Sequence, residues 1–374
     1  MHTSAEASHT VVPGLDGIRG IAVLAVLAFH ALSTNGAVVT TLPQRVWYGV
    51  FNMGSCGVDV FFVLSGFLIT RILLRTREKP AYFSTFYIRR SLRIFPVYYV
   101  YLLVAFPLLI LLHGGTFANV YFPAHFLYLQ NWFPLWGVQP ALGDEMSYLG
   151  HLWSLAIEEQ FYMVWPAVVF FASRATIVRL CCAVVLLTPA LKWAALLAGA
   201  SQYAVYVNTL FRVDGLLLGA LLAGSPALVI WLRERFGAAM LASLALLLAV
   251  RVGARFADAE TVMSVGFHSA VAVFSALLIV ASVSPGRIPV LSAVVEHPAL
   301  RWCGRYSYAI YLFHWPIMAV VLAPYVAWGG LAAWPIVSHI VFLSLAGALT
   351  VAAALLSWGA LESRFIRLKE RFPD

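Results

Sequence analysis

Apolar residues in this chain fall into ten long runs, roughly 16–34, 57–75, 94–113, 152–172, 177–198, 206–223, 237–252, 264–282, 306–326 and 335–358. A helix that crosses a bilayer needs about 20 predominantly apolar residues, and each run approaches that length. The spacing therefore predicts ten membrane-crossing helices. The stretch 117–135 is also apolar and aromatic, but Pro123 and Pro134 interrupt it, which predicts an interfacial or re-entrant segment inside a long loop. No repeat of fixed period is visible. The expected organisation is a tail over 1–15, one transmembrane domain over 16–358 and a second tail over 359–374.

The charges between the runs set an orientation. Lys and Arg favour the cytoplasmic side of a membrane. If ten helices alternate, one set of loops and ends holds Arg71, Arg75, Arg77, Lys79, Arg89, Arg90, Arg93, Arg174, Arg179, Arg233, Arg235, Arg287, Arg301, Arg305, Arg364, Arg367, Lys369 and Arg371. The other set holds only Arg45, Arg251 and Arg255. The asymmetry predicts both termini in the cytoplasm and supports an even helix count, because one miscounted helix would mix the two sets.

Composition agrees: 62% of the 374 residues are hydrophobic and only 11% charged. A soluble domain carries about 25% charged residues, so an ordinary globular enzyme, a disordered chain and a nucleic-acid-binding domain are excluded. The net charge of +8 is then mostly topology. The four cysteines include no CxxC pair, which argues against a thiolate metal site or a disulfide framework. The first 18 residues contain no Lys or Arg, so the first run is expected to be retained as a helix rather than cleaved as a leader.

Ionisable residues within the runs are the candidate chemistry, because they are costly in lipid. Arg19 and His30 are eleven residues apart, which places them within about 20° of one another on a helix and about 16 Å apart along its axis. Asp16 falls about 40° from that line. The plain alternative is an interfacial Arg and a His bonded inside the bundle. His151, Ser154, Glu158, Tyr162 and Trp165 form a second stripe, spaced 3, 4, 4 and 3. Glu159 is expected to point away from it, among Leu152, Leu155 and Met163. Asp59 with Ser65, Arg212 with Asp214, and Tyr306, Tyr308, Tyr311 and His314 are the remaining groups. Arg90 and Arg93 are three apart on one face of FYIRRSLRIFP. They serve either topology and anionic lipid or a phosphate site, since a guanidinium presents planar paired donors to phosphate.

These blocks together resemble the acyltransferase-3 membrane proteins, which O-acylate sugars and other hydroxyl compounds. GLDGIRGIAVLAVLAFH matches the family's Arg and His separated by ten residues, and GVDVFFVLSGFL, YIRRSLRIFP, HLWSLAIEEQFY, RVDGLLLGALLA and YSYAIYLFHWP follow in the family's order. The resemblance covers nearly the whole chain. It implies an all-α polytopic fold, an acyl coenzyme A co-substrate, most often acetyl, and no permanently bound cofactor or metal. Arg19 with His30, and Arg90 with Arg93, take the family's functional positions. Some members add an extracytoplasmic hydrolase-like domain; this chain ends twelve residues after Glu362, so a stand-alone form is expected. No HxxxxD and no GxSxG occurs.

The expected activity is transfer of an acyl group from acyl-CoA to a hydroxyl of a carbohydrate or glycoconjugate, in the bacterial inner membrane. His30 would be the general base, with Arg19 near the donor's entry and Arg90 and Arg93 on the coenzyme's phosphates. Asp59, Ser154, Glu158 and Tyr162 would orient His30 or bind acceptor hydroxyls. Ser65, His151, Arg212, Asp214, Tyr311 and His314 would line the cavity. The rival readings are a proton-coupled transporter, disfavoured by the missing internal symmetry, and a non-catalytic partner in polysaccharide export.

Overall fold

A computed structural model describes residues 12–34, 40–113, 123–137, 148–284, 289–328 and 334–372, nearly all helical and without a strand. Residues 1–11, 117–122 and Arg287 of the expectations above lie outside the described residues. The main helices are α1 (Pro13–Thr34), α2 (Leu42–Asn52), α3 (Gly57–Thr76), α4 (Tyr82–His113), α5 (Trp153–Phe171), α6 (Arg174–Leu197), α7 (Gln202–Val207), α8 (Thr209–Gly224), α9 (Pro226–Glu234) and α10 (Phe236–Gly253). After them come α11 (His268–Ser282), α12 (Pro298–Arg305), α13 (Ser307–Ala327), α14 (Pro335–Ser357) and α15 (Ser363–Lys369).

Among the described residues, nine helical segments are long and apolar enough to cross a membrane. The tenth expected run, α5, forms as a 19-residue helix but is not one of the nine. Glu158, Glu159 and Gln160 in its middle lower its hydropathy, while its length of about 28 Å still approaches the hydrocarbon thickness. The protein is a multi-pass integral membrane protein. Its outward leucines, such as Leu111, Leu186 and Leu356, are exposed, as suits a surface that meets lipid.

Contacts between helices agree with ten alternating runs. Residue numbers rise together where α1 meets α13: Arg19 and Tyr308 line one cavity, and His30 bonds His314 further along both helices. They rise together between α3 and α5, where Ser65 bonds Tyr162 and Trp165 bonds Thr70. They run oppositely between α4 and α5, where Tyr82 bonds the Pro166 carbonyl and Tyr87 that of Met163. First and ninth runs are thus parallel, as are second and fourth, while third and fourth are antiparallel.

α3 and α8 approach each other backbone to backbone. A Cβ on Gly66 would lie 1.8 Å from the Leu216 carbonyl oxygen, and one on Gly219 would lie 1.9 Å from that of Val63. Small residues let membrane helices approach backbone to backbone, and here the approach brings Asp59 against Arg212.

Three features depart from the run pattern. Asn208 takes extended backbone (φ −85, ψ 141) and caps Leu210 N–H with its side chain, so the run 206–223 divides into α7 and α8. A π-helical turn, Met263–Phe267, immediately precedes His268. The expected tail after 358 continues as a second π turn and then α15, and Arg89 Nη1 donates to the Phe372 carbonyl at 2.6 Å.

Candidate functional site

The face of α1 that carries Arg19 and His30 looks onto two cavities, not one. The first, of about 110 Å³, is lined by Arg19, Ser65, Arg90, Arg93, Ser154, Glu158, Glu159, Tyr162, Tyr308 and Tyr311, with apolar residues of α3. Arg19 Nη1 contacts Asp16 at 3.1 Å. Arg90 lies over the rings of Phe86 and Tyr162, 5.9 and 5.5 Å from their centroids. Among the described residues, neither Arg90 nor Arg93 makes a hydrogen bond or an ion pair. Two guanidiniums that face a cavity without protein acceptors form an anion-attracting wall.

The second cavity, of about 430 Å³, is lined by Phe29, His30, Asn52, Met53, Ser55, Gly150, Trp153, Tyr203, Tyr206, Arg251, Met263, Phe267, His268 and Trp315. It is larger and mostly aromatic. His30 Nδ1 lies 2.7 Å from His314 Nε2, and His314 Nδ1 lies 2.5 Å from the Tyr311 carbonyl. A carbonyl can only accept, so His314 Nδ1 carries the hydrogen and its Nε2 the lone pair. His30 Nδ1 must then donate to it, which leaves the lone pair of His30 on Nε2. The chain of bonds selects the tautomer in which His30 can act as a base.

Between the cavities lies a thin polar layer. Ser154 Oγ and Tyr311 Oη are 2.6 Å apart, and Tyr311 Oη also donates to the His151 carbonyl at 3.0 Å. His151 Nε2 reaches the Leu312 carbonyl at 3.0 Å, and its ring lies 5.3 Å from that of His314. Ser154 and Tyr311 face the first cavity, while Trp315, beside His314 on α13, faces the second.

Several expected roles are corrected. Asp59 does not orient His30: its Oδ1 accepts from Arg212 Nη2 at 2.8 Å and its Oδ2 lies 2.9 Å from His268 Nδ1. Both of its oxygens are spent on α8 and α11. Ser154, Glu158 and Tyr162 do not touch His30 either; they line the first cavity, where Tyr162 bonds Ser65. Glu159 reaches that same cavity, with Oε1 buried and unbonded, although its phase on α5 predicted a separate apolar setting. Adjacent residues are about 100° apart, and helices α1, α3, α4 and α13 around this cavity cover a wider arc than that. Arg212 and Asp214 line neither cavity. Arg212 is boxed by Phe62, Trp153 and Tyr206, and Asp214 accepts from Ser269 at 2.6 Å and from Lys192 at 3.4 Å. His151 is buried in the layer rather than exposed in a cavity.

Lys192 and His268 were missed. Both are ionisable residues deep within apolar runs, so the rule that drew attention to Arg19 and His30 applied to them equally. Arg251, read as a loop charge, lines the second cavity and sits 5.5 Å from the Phe267 ring centroid.

Residues 12–359 match the acyltransferase-3 family model, described as an acyltransferase domain. The chain belongs to that family. It is 31% identical over 363 residues to a Bacillus subtilis protein provisionally named a peptidoglycan O-acetyltransferase, covering 89% of this chain and 52% of that one. It is 30% identical over 341 residues to the peptidoglycan O-acetyltransferase of Listeria monocytogenes, covering 86% and 51%. A Staphylococcus aureus protein provisionally named an O-acetyltransferase is 28% identical, covering 95% and 57%. The chain thus spans about half the length of the curated relatives it matches. No solved structure matches it.

Proposed function

We propose that this protein is a bacterial inner-membrane O-acyltransferase that moves an acyl group, acetyl first, from acyl-CoA to a hydroxyl of a carbohydrate. Peptidoglycan is the first acceptor to test, because two relatives carry it in their names. The observation that carries this reading is the pair of cavities on one helix face. A guanidinium-walled cavity lies at Arg19 and an aromatic one at His30, with the bonded residues Ser154, Tyr311, His151 and His314 beside them.

In this reading the Lys and Arg distribution puts both termini and the guanidinium cavity toward the cytoplasm, where the donor is found. Arg90, Arg93 and Arg19 bind coenzyme phosphates, and the acyl thioester points toward the layer. The acceptor enters the aromatic cavity. His30 Nε2 takes the proton of the acceptor hydroxyl as its oxygen attacks the thioester carbonyl. The carbon–sulfur bond breaks, the ester leaves on the acceptor, and the proton passes from His30 to the thiolate of the released coenzyme. Direct transfer is preferred to an acyl-enzyme because it needs fewer steps.

The test is label transfer from radioactive acetyl-CoA to glycan acceptors by the purified chain in lipid nanodiscs. A transporter or a non-catalytic export partner would bind or move substrate and leave no label on the glycan.

A further inference from the structure

The aromatic cavity contains a second imidazole, that of His268. Its Nδ1 lies 2.9 Å from Asp59 Oδ2, and Asp59 Oδ1 is held at 2.8 Å by Arg212. Arg212 is fixed in turn by the rings of Trp153 and Tyr206, 5.6 and 5.1 Å from its guanidinium carbon. A carboxylate accepts, so His268 Nδ1 carries the hydrogen, and in the neutral ring the lone pair is on Nε2. Among the described residues Nε2 has no hydrogen-bond partner, and the side chain is 16% exposed. The π turn Met263–Phe267 leads directly into His268, and π turns interrupt helices most often at functional sites. Two imidazoles, each locked with its basic nitrogen unprotonated, therefore face one aromatic chamber.

We propose that His268 is the acceptor-specificity residue of the transferase, held in its working tautomer by Asp59. Its Nε2 accepts a hydrogen bond from a second hydroxyl of the acceptor while His30 takes the proton of the reacting one. The acceptor class that satisfies both is a sugar ring with at least two free hydroxyls, its C–H face stacked on Trp153, Tyr206 or Trp315. A simple alcohol uses His30 alone. This inference rests on the acyl-transfer reading above.

The test compares wild type, His268→Phe, His268→Gln, Asp59→Asn and His30→Gln in nanodiscs. The acceptors are a short β-linked N-acetylglucosamine oligomer and n-propanol, with labelled acetyl-CoA as donor. Sugar binding without donor is read separately from the fluorescence of the cavity tryptophans. A site built to bond a hydroxyl loses about ten- to a hundredfold when its polar partner is removed. His268→Phe is expected to raise KM for the oligomer at least about tenfold, with a matching loss in the binding measurement. Its kcat and its transfer to n-propanol fall by much less than its transfer to the oligomer. His268→Gln keeps an acceptor oxygen and recovers part of the affinity. Asp59→Asn lets an amide N–H face the ring, forces the hydrogen onto Nε2 and reproduces the KM effect.

A His268→Phe variant that loses kcat at unchanged KM, loses both acceptors equally, or binds the oligomer as wild type does, overturns the proposal. Failure of the acyl-transfer reading looks different: wild type then labels neither acceptor, or His30→Gln transfers as wild type does. The fluorescence comparison still decides His268 in that case.

Discussion

Arg90 and Arg93 offer the sharpest test of the donor side. Neither guanidinium has a protein acceptor among the described residues, and both face the first cavity. A phosphate that binds them breaks no existing pair, so the full charge-assisted contact appears as affinity. Removing one such contact costs about 1.5–3 kcal/mol, or roughly a ten- to hundredfold rise in Kd. Arg→Lys keeps the charge and loses the planar fork, so a smaller loss of about three- to tenfold is expected at each position. The two sites share one cavity, and the double Arg→Ala variant should therefore fall short of or exceed the sum of the singles. The assay is equilibrium binding of a non-hydrolysable acetyl-CoA analogue to the purified chain at moderate salt. Arg71→Ala is the control, because Arg71 is an exposed charge outside both cavities. If the charges serve only topology, Lys replaces Arg without loss. A change in Kd at positions 90 and 93 no greater than at Arg71 would refute the phosphate assignment.

Three further outcomes are expected. His30→Gln should lower kcat about 10²–10⁴-fold while membrane expression is unchanged; a variant with more than half of wild-type transfer removes His30 from the chemistry. Glu158→Gln should reduce transfer more than Glu159→Gln, because Glu158 is the more open of the two to the cavity, whereas the unbonded Oε1 of Glu159 makes Glu159→Gln neutral or stabilising in a detergent melt. A lower melting temperature for Glu159→Gln would count against that assignment. Lys192→Met strips Asp214 of its ammonium partner at 3.4 Å and should destabilise the bundle by about 3–5 kcal/mol, with Lys192→Met/Asp214→Asn recovering much of it; a single variant that melts with wild type shows the pair to be inert.

The helices were legible because a lipid-facing helix must be apolar for its whole length, and that constraint is local in sequence. The breaks were not. Asn208 reads as one polar residue in an apolar run, and only its cap on Leu210 shows the chain turning there. The π turn at Met263–Phe267 has no sequence signature. Arg19 and His30 were legible as one stripe, but a stripe says nothing about how many cavities it passes. That depends on Tyr311 and His314, nearly three hundred positions away. The partner of Asp59 was out of reach for the same reason: its bond to His268 spans 209 positions. Asp59 was expected to orient His30 or bind acceptor hydroxyls, and packing of α3 against α8 and α11 ties it to Arg212 and His268 instead.

The division has a physical logic. The donor expected here carries phosphates and cannot enter lipid, and a glycan acceptor is equally polar. A single deep site would have to draw one of them most of the way across a hydrocarbon layer about 30 Å thick. Two cavities about 16 Å apart on α1 share that distance, so each polar substrate needs to travel only part of it. In the proposed reaction the guanidiniums would meet an anionic donor and the aromatic wall the mixed faces of a sugar. Their separation also accounts for the buried pairs. Asp59 with Arg212, and Asp214 with Lys192, contribute no surface to either cavity, yet they join α3, α6 and α8 by bonds that lipid cannot compete for. Buried ion pairs seldom add net stability over apolar packing, but they do penalise wrong arrangements. In a bundle whose helices are almost uniformly apolar, that penalty fixes which faces of α3 and α8 meet, and so fixes where His268 stands relative to His30.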